Sequence, residues 1–338
     1  MFLKVSRFVL LLSIFITCFG CERFERSVTF WDKVRPTGDN PFGSLSTDER
    51  TGFTVITYNN KIWVMGGVID FNNEYKHDVW CSENGREWTL VTSSAEWEPR
   101  SGLETVIYDG KMWIFGGGDF SRGITFMDAW WTTDGKSWFE ATSSSHCFGQ
   151  YIVYDDKLWG FDGDDVWWSK DGIEWLQVTS SAPFSSGCVV VFDDKMWHVG
   201  DYTMESHEDN GWYSFDHIYS GSAWWSTDGF NWTKVSSGSP WDGREAYTCI
   251  VYDGRIWCMG GISSEGIECY NDVWWTHDGI TWVLASHARW ERRAGIKSIV
   301  YDNKIWIFGG YKKVKDHKYI NQTTYSYINF NEIWYCSY

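Results

Sequence analysis

Two short sequence patterns return six times along this chain and constrain its fold more than any other feature. The first is a β-rich stretch with a polar turn, a Trp and usually two glycines, as in "TVIYDGKMWIFGG". The second follows after a gap of variable length, as in "DVWWSKDGIEW". The tryptophans of the first pattern, 38 to 60 residues apart, are Trp63, Trp113, Trp159, Trp197, Trp257 and Trp306. Such a period predicts an array of structural repeats.

Each copy of the two patterns together predicts four strands, here named a to d. In the third copy these are Tyr151–Tyr154, Lys157–Phe161, Asp165–Ser169 and Glu174–Val178. The c–d turn carries Asp-Gly or Asn-Gly, which is typical of tight β-hairpins. Neighbouring side chains on a strand point to opposite faces. The adjacent Trp167 and Trp168 therefore indicate a sheet that is covered on both faces by neighbouring sheets.

The sixth copy stops after its third strand, and the matching fourth strand, "SVTFWDKV" (Ser27–Val34), lies near the other end of the chain. This arrangement predicts a ring in which the N-terminal strand completes the last unit and leaves no outer sheet unpaired. We therefore expect an all-β, six-bladed β-propeller with four antiparallel strands per blade. The expected blades span about 51–91, 101–141, 147–178, 186–235, 245–285, and 294–338 together with 27–34.

The repeat resembles that of the kelch β-propeller family over residues 27–338, within the superfamily that includes the central domain of galactose oxidase. The likeness rests on the double glycine after strand b, the Trp of strand d, and an Arg before strand a. It is closest to bacterial exported kelch-like proteins that carry "DVWWSxDGxxW". Blades 3 and 4 depart from the pattern, because they have Asp162–Gly163 and Gly200–Asp201 in place of the double glycine. The resemblance implies a protein or glycan partner.

The N-terminus has the features of an export signal. Lys4 and Arg7 precede an apolar run, Phe8–Ile16, that is too short to span a bilayer. We assign residues 1–20 to a signal peptide and 21–26 to a lipid anchor and linker. Cys21 resembles the acylated first residue of bacterial lipoproteins, and ordinary cleavage after Gly20 is the alternative. We expect a bacterial envelope lipoprotein or a secreted protein, attached to the membrane only through this lipid.

Charge and cysteine usage restrict the function further. The formal net charge of −16 argues against nucleic-acid binding, because the chain would repel phosphate backbones. The cysteines show no zinc-like spacing, so we expect neither a metal nor a cofactor. Cys258 and Cys269 are candidates for a disulfide across a hairpin. Otherwise we expect the cysteines to be small apolar core residues. Nothing in the pattern requires a second subunit, so we expect a monomer.

Functional residues are expected on one face of the ring. The a–b and c–d turns are short and uniform, whereas the b–c and d–a connections on the opposite face vary in length. Long segments at 201–222 and 311–331 predict recognition loops there. The ligand-binding candidates are Trp212, Tyr213 and His217 in the first loop, and the pairs Trp97/Arg100, Trp241/Arg244 and Trp290/Arg293 in the d–a connections. Arg beside an aromatic ring suits carboxylates and sugars, although repeated residues also serve structure.

Two functions follow from these residues. The first is a non-catalytic binding module that presents its variable face to a protein or a glycan. The alternative is a carbohydrate-active enzyme on the same scaffold, sialidase-like or a sugar isomerase, with Arg100, Arg244 and Arg293 as a substrate-binding triad. The histidines are scattered along the sequence and share no motif, so they do not predict a copper site. His198 lies within strand b and is expected in the core or in the central channel of the ring. We assign no catalytic residue.

Overall fold

The computed structural model describes residues 30–43, 49–69, 73–209, 212–236, 241, 243–263, 265–319 and 322–337. Within these ranges all regular secondary structure is β-strand, numbered here β1 to β33 in chain order. No helix there is long and apolar enough to cross a membrane. The expected signal peptide (1–20), the anchor segment (21–26) with Cys21, and Ser27–Thr29 lie outside the described residues.

Six antiparallel sheets of four strands make up most of the described chain. In each sheet the strands lie side by side in the order a, b, c, d. Sheet 1 contains β3 (Thr54–Tyr58), β4 (Lys61–Met65), β7 (Val79–Ser82) and β8 (Thr89–Thr92). Sheet 2 contains β9 (Glu104–Tyr108), β10 (Lys111–Phe115), β13 (Ala129–Thr132) and β14 (Phe139–Thr142). Sheet 3 contains β15 (Gln150–Tyr154), β16 (Lys157–Asp162), β17 (Asp165–Ser169) and β18 (Leu176–Thr179).

The remaining three sheets repeat this order. Sheet 4 contains β19 (Cys188–Phe192), β20 (Lys195–Asp209), β21 (Trp212–Ser226) and β22 (Thr233–Ser236). Sheet 5 contains β24 (Thr248–Tyr252), β25 (Arg255–Met259), β27 (Asp272–Thr276) and β28 (Val283–His287). Sheet 6 contains β29 (Lys297–Tyr301), β30 (Lys304–Phe308), β33 (Ile333–Ser337) and β1 (Phe30–Val34). The all-β architecture is β-propeller-like, as the repeat predicted.

The first and last strands of the chain lie side by side. β1 pairs antiparallel with β33, with Phe30 opposite Ser337 and Val34 opposite Ile333. Each strand a contacts strand a of the next sheet, and β29 of sheet 6 contacts β3 of sheet 1. The Tyr301 hydroxyl donates to the Asn60 carbonyl, as the Tyr58 hydroxyl donates to the Gly110 carbonyl one sheet on. Sheets 6 and 1 thus make the same contacts as sheets 1 and 2.

Adjacent tryptophans in strand c face different neighbours, as expected. Trp167 packs with the cluster shared by sheets 2 and 3, and Trp168 with the cluster shared by sheets 3 and 4. Both indoles are half-buried.

The c–d turn needs its glycine for packing, since a Cβ on Gly135 would lie 2.1 Å from the Trp63 ring of the preceding sheet. The same contact joins Gly85 of sheet 1 to Trp306 of sheet 6.

Short strands and two hairpins lie in the b–c and d–a connections. The short strands are β2 (Arg50–Thr51), β5 (Val68–Ile69), β6 (Glu74–Tyr75), β11 (Gly118–Asp119), β12 (Ile124–Thr125), β23 (Arg244–Glu245) and β26 (Ile262–Ser263). A further pair is β31 (Tyr311–Tyr319) and β32 (Gln322–Asn329). The prediction of long loops at 201–222 and 311–331 is wrong. Backbone pairing continues from Asp201–Ser220 to Asp209–Trp212, and from Tyr311–Asn329 to Tyr319–Gln322, so both segments are β-hairpins.

The disulfide between Cys258 and Cys269 was predicted wrongly. Cys258 is bonded to Cys249, because these two residues lie directly opposite each other on β25 and β24. Cys269 is a free, buried thiol that packs with Ile262 and Ala294 instead. It therefore behaves as the small apolar core residue that was the alternative expectation.

Candidate functional site

The arginines proposed as ligand contacts are structural. Arg100 is 0% exposed, and its guanidinium donates to both carboxylate oxygens of Asp128 and to the Gly116 carbonyl. The guanidinium lies over the Phe126 ring, with its Cζ atom 4.1 Å from the ring centroid. Because the side chain is fully buried and its guanidinium is bound to protein oxygens, Arg100 is not accessible to a ligand.

Arg100 joins two neighbouring sheets. The backbone of Arg100 is hydrogen-bonded to Gly67 and Lys76 of sheet 1, whereas its side chain is bound to sheet 2. The same side-chain arrangement recurs in four of the described sheets, as Arg50 with Asp78, Arg100 with Asp128, Arg244 with Asp272, and Arg293 with Glu332. Sequence reasoning missed Arg50 and the acidic partners. A constant separation of 28 residues in the first three pairs was the signal.

The tryptophans beside these arginines are also core residues. Trp97 and Trp290 are 1% exposed and Trp241 is 9% exposed. Each makes an edge-to-face contact with a second indole, at centroid distances of 4.6 to 6.1 Å, in the pairs Trp97–Trp138, Trp241–Trp282 and Trp290–Trp31. The prediction that Trp97/Arg100, Trp290/Arg293 and Trp241 contact ligand is therefore wrong, because packing removes them from solvent. Arg244 is buried in the same way, although it borders the cavity described below.

The other candidates lie on the extended hairpin of sheet 4. Trp212, Tyr213 and His217 belong to β21, where their backbones pair with Asp209, Glu208 and Met204 of β20. Their role in binding stays a prediction. His198, earlier on β20, is a core residue that stacks on Phe184 with ring centroids 3.6 Å apart. Burial lowers the pKa of His198 to about 3, so its imidazole is neutral at physiological pH.

A cavity of about 610 Å³ opens where the six a strands begin. Its wall contains the first residue of strand a from every sheet, namely Thr54, Glu104, Gln150, Cys188, Thr248 and Lys297. The second residues also line it, namely Val55, Thr105, Tyr151, Val189, Cys249 and Ser298. Since strand a follows the d–a connection, the cavity lies on the face where function was expected.

Polar side chains link the strands around this cavity. Lys297 of sheet 6 donates to Glu104 of sheet 2 at 3.1 Å, although sheet 1 lies between them in the order of the sheets. The Gln150 side-chain carbonyl accepts from the Val189 backbone N–H at 2.7 Å, which ties sheet 3 to sheet 4. Sequence reasoning missed these residues. The signal was a charged residue followed by a hydroxyl residue at the start of a strand that then becomes apolar, as in "ETVIY" and "KSIVY".

Two other polar side chains of the wall form hydrogen bonds with neighbouring protein groups. The Tyr247 hydroxyl donates to the Val199 carbonyl at 2.6 Å, and burial raises the pKa of this phenol well above its usual value. Asp201 accepts from the Ser185 backbone N–H at 3.1 Å. No group of three or more His, Cys, Asp or Glu residues in the described part of the chain is placed to hold a metal ion.

A second cavity of about 380 Å³ adjoins the first, because Gly295 and Lys297 border both. Its wall is more aromatic and includes Phe53, Tyr311 and Tyr327. Tyr327 on β32 is 60% exposed and makes an edge-to-face contact with Tyr311 at 5.6 Å. The hairpin of sheet 6 therefore supplies one side of this cavity, next to the central one.

Comparisons with known proteins support the fold alone. No family model matches this chain, and no curated protein sequence matches it. A solved structure titled "Structure of YjhT" is similar, with a TM-score of 0.59 and 16% sequence identity. The match covers 77% of this chain and 90% of that chain. At this identity the likeness concerns the β-propeller-like architecture, and its title states no activity.

Proposed function

We propose that this protein is an exported, non-catalytic binding module whose central cavity holds an uncharged glycan. The scaffold would be a closed, six-bladed kelch-like propeller that is tethered to the membrane by a lipid on Cys21. The pairing of β1 with β33 and the contact of β29 with β3 support the closed ring. The apolar run before Cys21 supports export, and the mass of the N-terminal peptide from native membranes would reveal the lipid.

The observation that carries the proposal is the polar cavity at the start of the a strands. Its volume of about 610 Å³ lies within the range of roughly 300–1,000 Å³ that is typical of small-ligand sites. Hydroxyl, amide and charged groups from different sheets surround it, which matches the donors and acceptors of a sugar. A recessed site of this size fits a glycan residue better than the flat surface of a folded protein.

Charge in the cavity favours an uncharged ligand. Lys297 is paired with Glu104, and Arg244 is paired with Asp272, while Asp201 and Glu245 add negative charge to the wall. The chain as a whole carries a formal charge of −16. An anionic ligand would therefore meet no excess of positive charge.

The second cavity supports a ligand longer than one sugar. A glycan that leaves the central cavity past Lys297 enters the space between Phe53 and Tyr327. The flat ring of Tyr327 offers an apolar surface against which the C–H face of a sugar ring can pack. The proposal therefore expects affinity to rise from monosaccharide to disaccharide or trisaccharide.

Replacing Lys297 with methionine tests the site. We expect affinity for the best ligand of a neutral glycan panel to fall about tenfold or more, because a hydrogen bond to a charged group contributes roughly 1.5–3 kcal/mol. Isothermal titration calorimetry measures the change. Lys61→Met is the matched control, since Lys61 forms a similar pair with Glu83 but opens strand b at the other end of sheet 1.

Three results would overturn the proposal. The first is equal loss of affinity in Lys61→Met and Lys297→Met, which would show that the loss does not come from the cavity. The second is recovery of a cleaved or isomerised glycan after incubation, which would favour the carbohydrate-active enzyme. The third is a protein that binds the same face and is not displaced by glycan, which would favour the protein partner.

A further inference from the structure

Three cysteines lie together where sheets 4 and 5 meet. Cys249 and Cys258 form the disulfide between β24 and β25, and both pack in the cluster between the two sheets. Cys188, the first residue of β19, lies across this boundary with a free thiol. Its sulfur donates to the Tyr247 carbonyl at 3.4 Å, two residues before Cys249. Cys188 and Cys249 both line the central cavity.

The register of the a strands places Cys188 and Cys249 at two positions whose side chains meet in other sheets. The first residue of one strand a reaches the second residue of the next strand a. Hydroxyl pairs in these positions are Thr54–Thr105 at 2.8 Å and Thr248–Ser298 at 2.6 Å. Cys188 and Cys249 hold the same two positions in sheets 4 and 5.

We propose that Cys188 exchanges into the Cys249–Cys258 disulfide. The Cys188 thiolate attacks the Cys249 sulfur, so a Cys188–Cys249 bond forms while the Cys249–Cys258 bond breaks. Cys258 leaves as a thiolate and takes up the proton that Cys188 gave up. The exchange is neutral in electrons, so it needs no oxidant or reductant. Its product is a disulfide that joins sheet 4 to sheet 5 in place of one within sheet 5.

Other described cysteines do not have this arrangement. Cys147 donates to the Phe126 carbonyl at 3.5 Å near the boundary of sheets 2 and 3. Cys336 packs with Trp257 between sheets 5 and 6. Neither adjoins the disulfide, and Cys81 and Cys269 pack in clusters that contain neither of its cysteines, so the exchange is specific to Cys188. The new bond would cross the boundary between sheets 4 and 5 in the cavity wall, which the first bond does not cross.

Burial controls the rate of this exchange. It raises the pKa of the Cys188 thiol to about 12, although the Cys249 backbone N–H opposes this effect. Because only the thiolate attacks, the rate should rise about tenfold for each pH unit between pH 7 and 9. The form with Cys249–Cys258 bonded therefore persists long enough at neutral pH to be isolated.

Disulfide mapping by mass spectrometry of the full chain tests the proposal. The protein is held without reductant at pH 7, 8 and 9, quenched with acid, alkylated and digested. We expect a Cys188–Cys249 peptide that appears faster at higher pH, together with alkylated Cys258. Cys147→Ser is the matched control and should show the same exchange. A map with Cys249–Cys258 alone at every pH would overturn the proposal.

A variant gives an independent readout. Cys258→Ser leaves Cys188 and Cys249 as the two thiols at this boundary, and oxidised glutathione should join them into one disulfide. Near-ultraviolet circular dichroism checks that the variant is folded. Separate glutathione adducts on Cys188 and Cys249 in the folded variant would contradict the proposed geometry.

Discussion

Replacing Arg100 with methionine should destabilise the protein without a direct effect on ligand contacts. Arg100 is 0% exposed, and its guanidinium binds Asp128 through two parallel hydrogen bonds, of which Nη2 to Oδ2 is 2.9 Å. Methionine fills much of the same volume but offers no donor. The Asp128 carboxylate would then remain partly buried without its cation.

The expected magnitude follows from that uncompensated charge. Removing one partner of a buried ion pair costs about 3–5 kcal/mol of unfolding free energy. Burial raises the pKa of Asp128, but hydrogen bonds from Arg100 and Trp130 now outweigh it and hold the pKa low. Without Arg100 the pKa should rise. Asp128→Asn in the same chain should therefore restore part of the loss.

Urea unfolding monitored by tryptophan fluorescence measures the effect. Arg122→Met is the matched control, because Arg122 pairs with Asp119 at 3.2 Å but is 68% exposed. An exposed ion pair contributes roughly 0–1 kcal/mol, so this variant should unfold close to the wild type. The result that would refute the reasoning is an Arg100→Met protein of unchanged stability whose glycan affinity is lost.

Two further predictions concern packing and pH. Gly135→Ala should cost about 1–3 kcal/mol more than Gly110→Ala, because both glycines have similar positive φ angles but only Gly135 faces the Trp63 ring. Equal thermal shifts in the two variants would contradict this packing role. Burial raises the pKa of Glu332, but hydrogen bonds from Lys33 and Arg293 outweigh this effect and hold it at about 2. Its stabilising contribution is therefore present above about pH 4.5 and is lost as pH falls toward 2. In acid titrations of stability, Glu332→Gln should remove this component, and an unchanged acid profile in that variant would refute it.

Strand positions could be predicted from the sequence because repetition reinforced each local signal. Strand c of the third copy was predicted at Asp165–Ser169 and is found there. Strand d was predicted at Glu174–Val178 but is Leu176–Thr179. Trp175 precedes this strand, and its buried ring packs against Phe115 and Phe148. An aromatic residue at a turn has the same sequence signal as one within a strand.

The site was harder to predict for physical reasons. Arg100 beside Trp97 looks like a recognition pair in the sequence. Its structural role is revealed only by the burial of both side chains and by its ion pair with Asp128, which lies 28 residues further along the chain. The segment 201–222 did carry a signal, because its sequence contains Asn-Gly, a dipeptide that is typical of β-hairpins. Glu104 and Lys297 lie 193 residues apart, and their pairing depends on how the sheets are arranged around the cavity.

Hydrogen exchange with and without bound glycan tests the central claim most directly, because it locates the ligand and leaves the protein unaltered. The account predicts slower exchange at the starts of the a strands, around Glu104–Thr105, Gln150–Tyr151 and Lys297–Ser298, with the glycan recovered unchanged. Protection confined to the a–b and c–d turns, or recovery of a converted glycan, would contradict it.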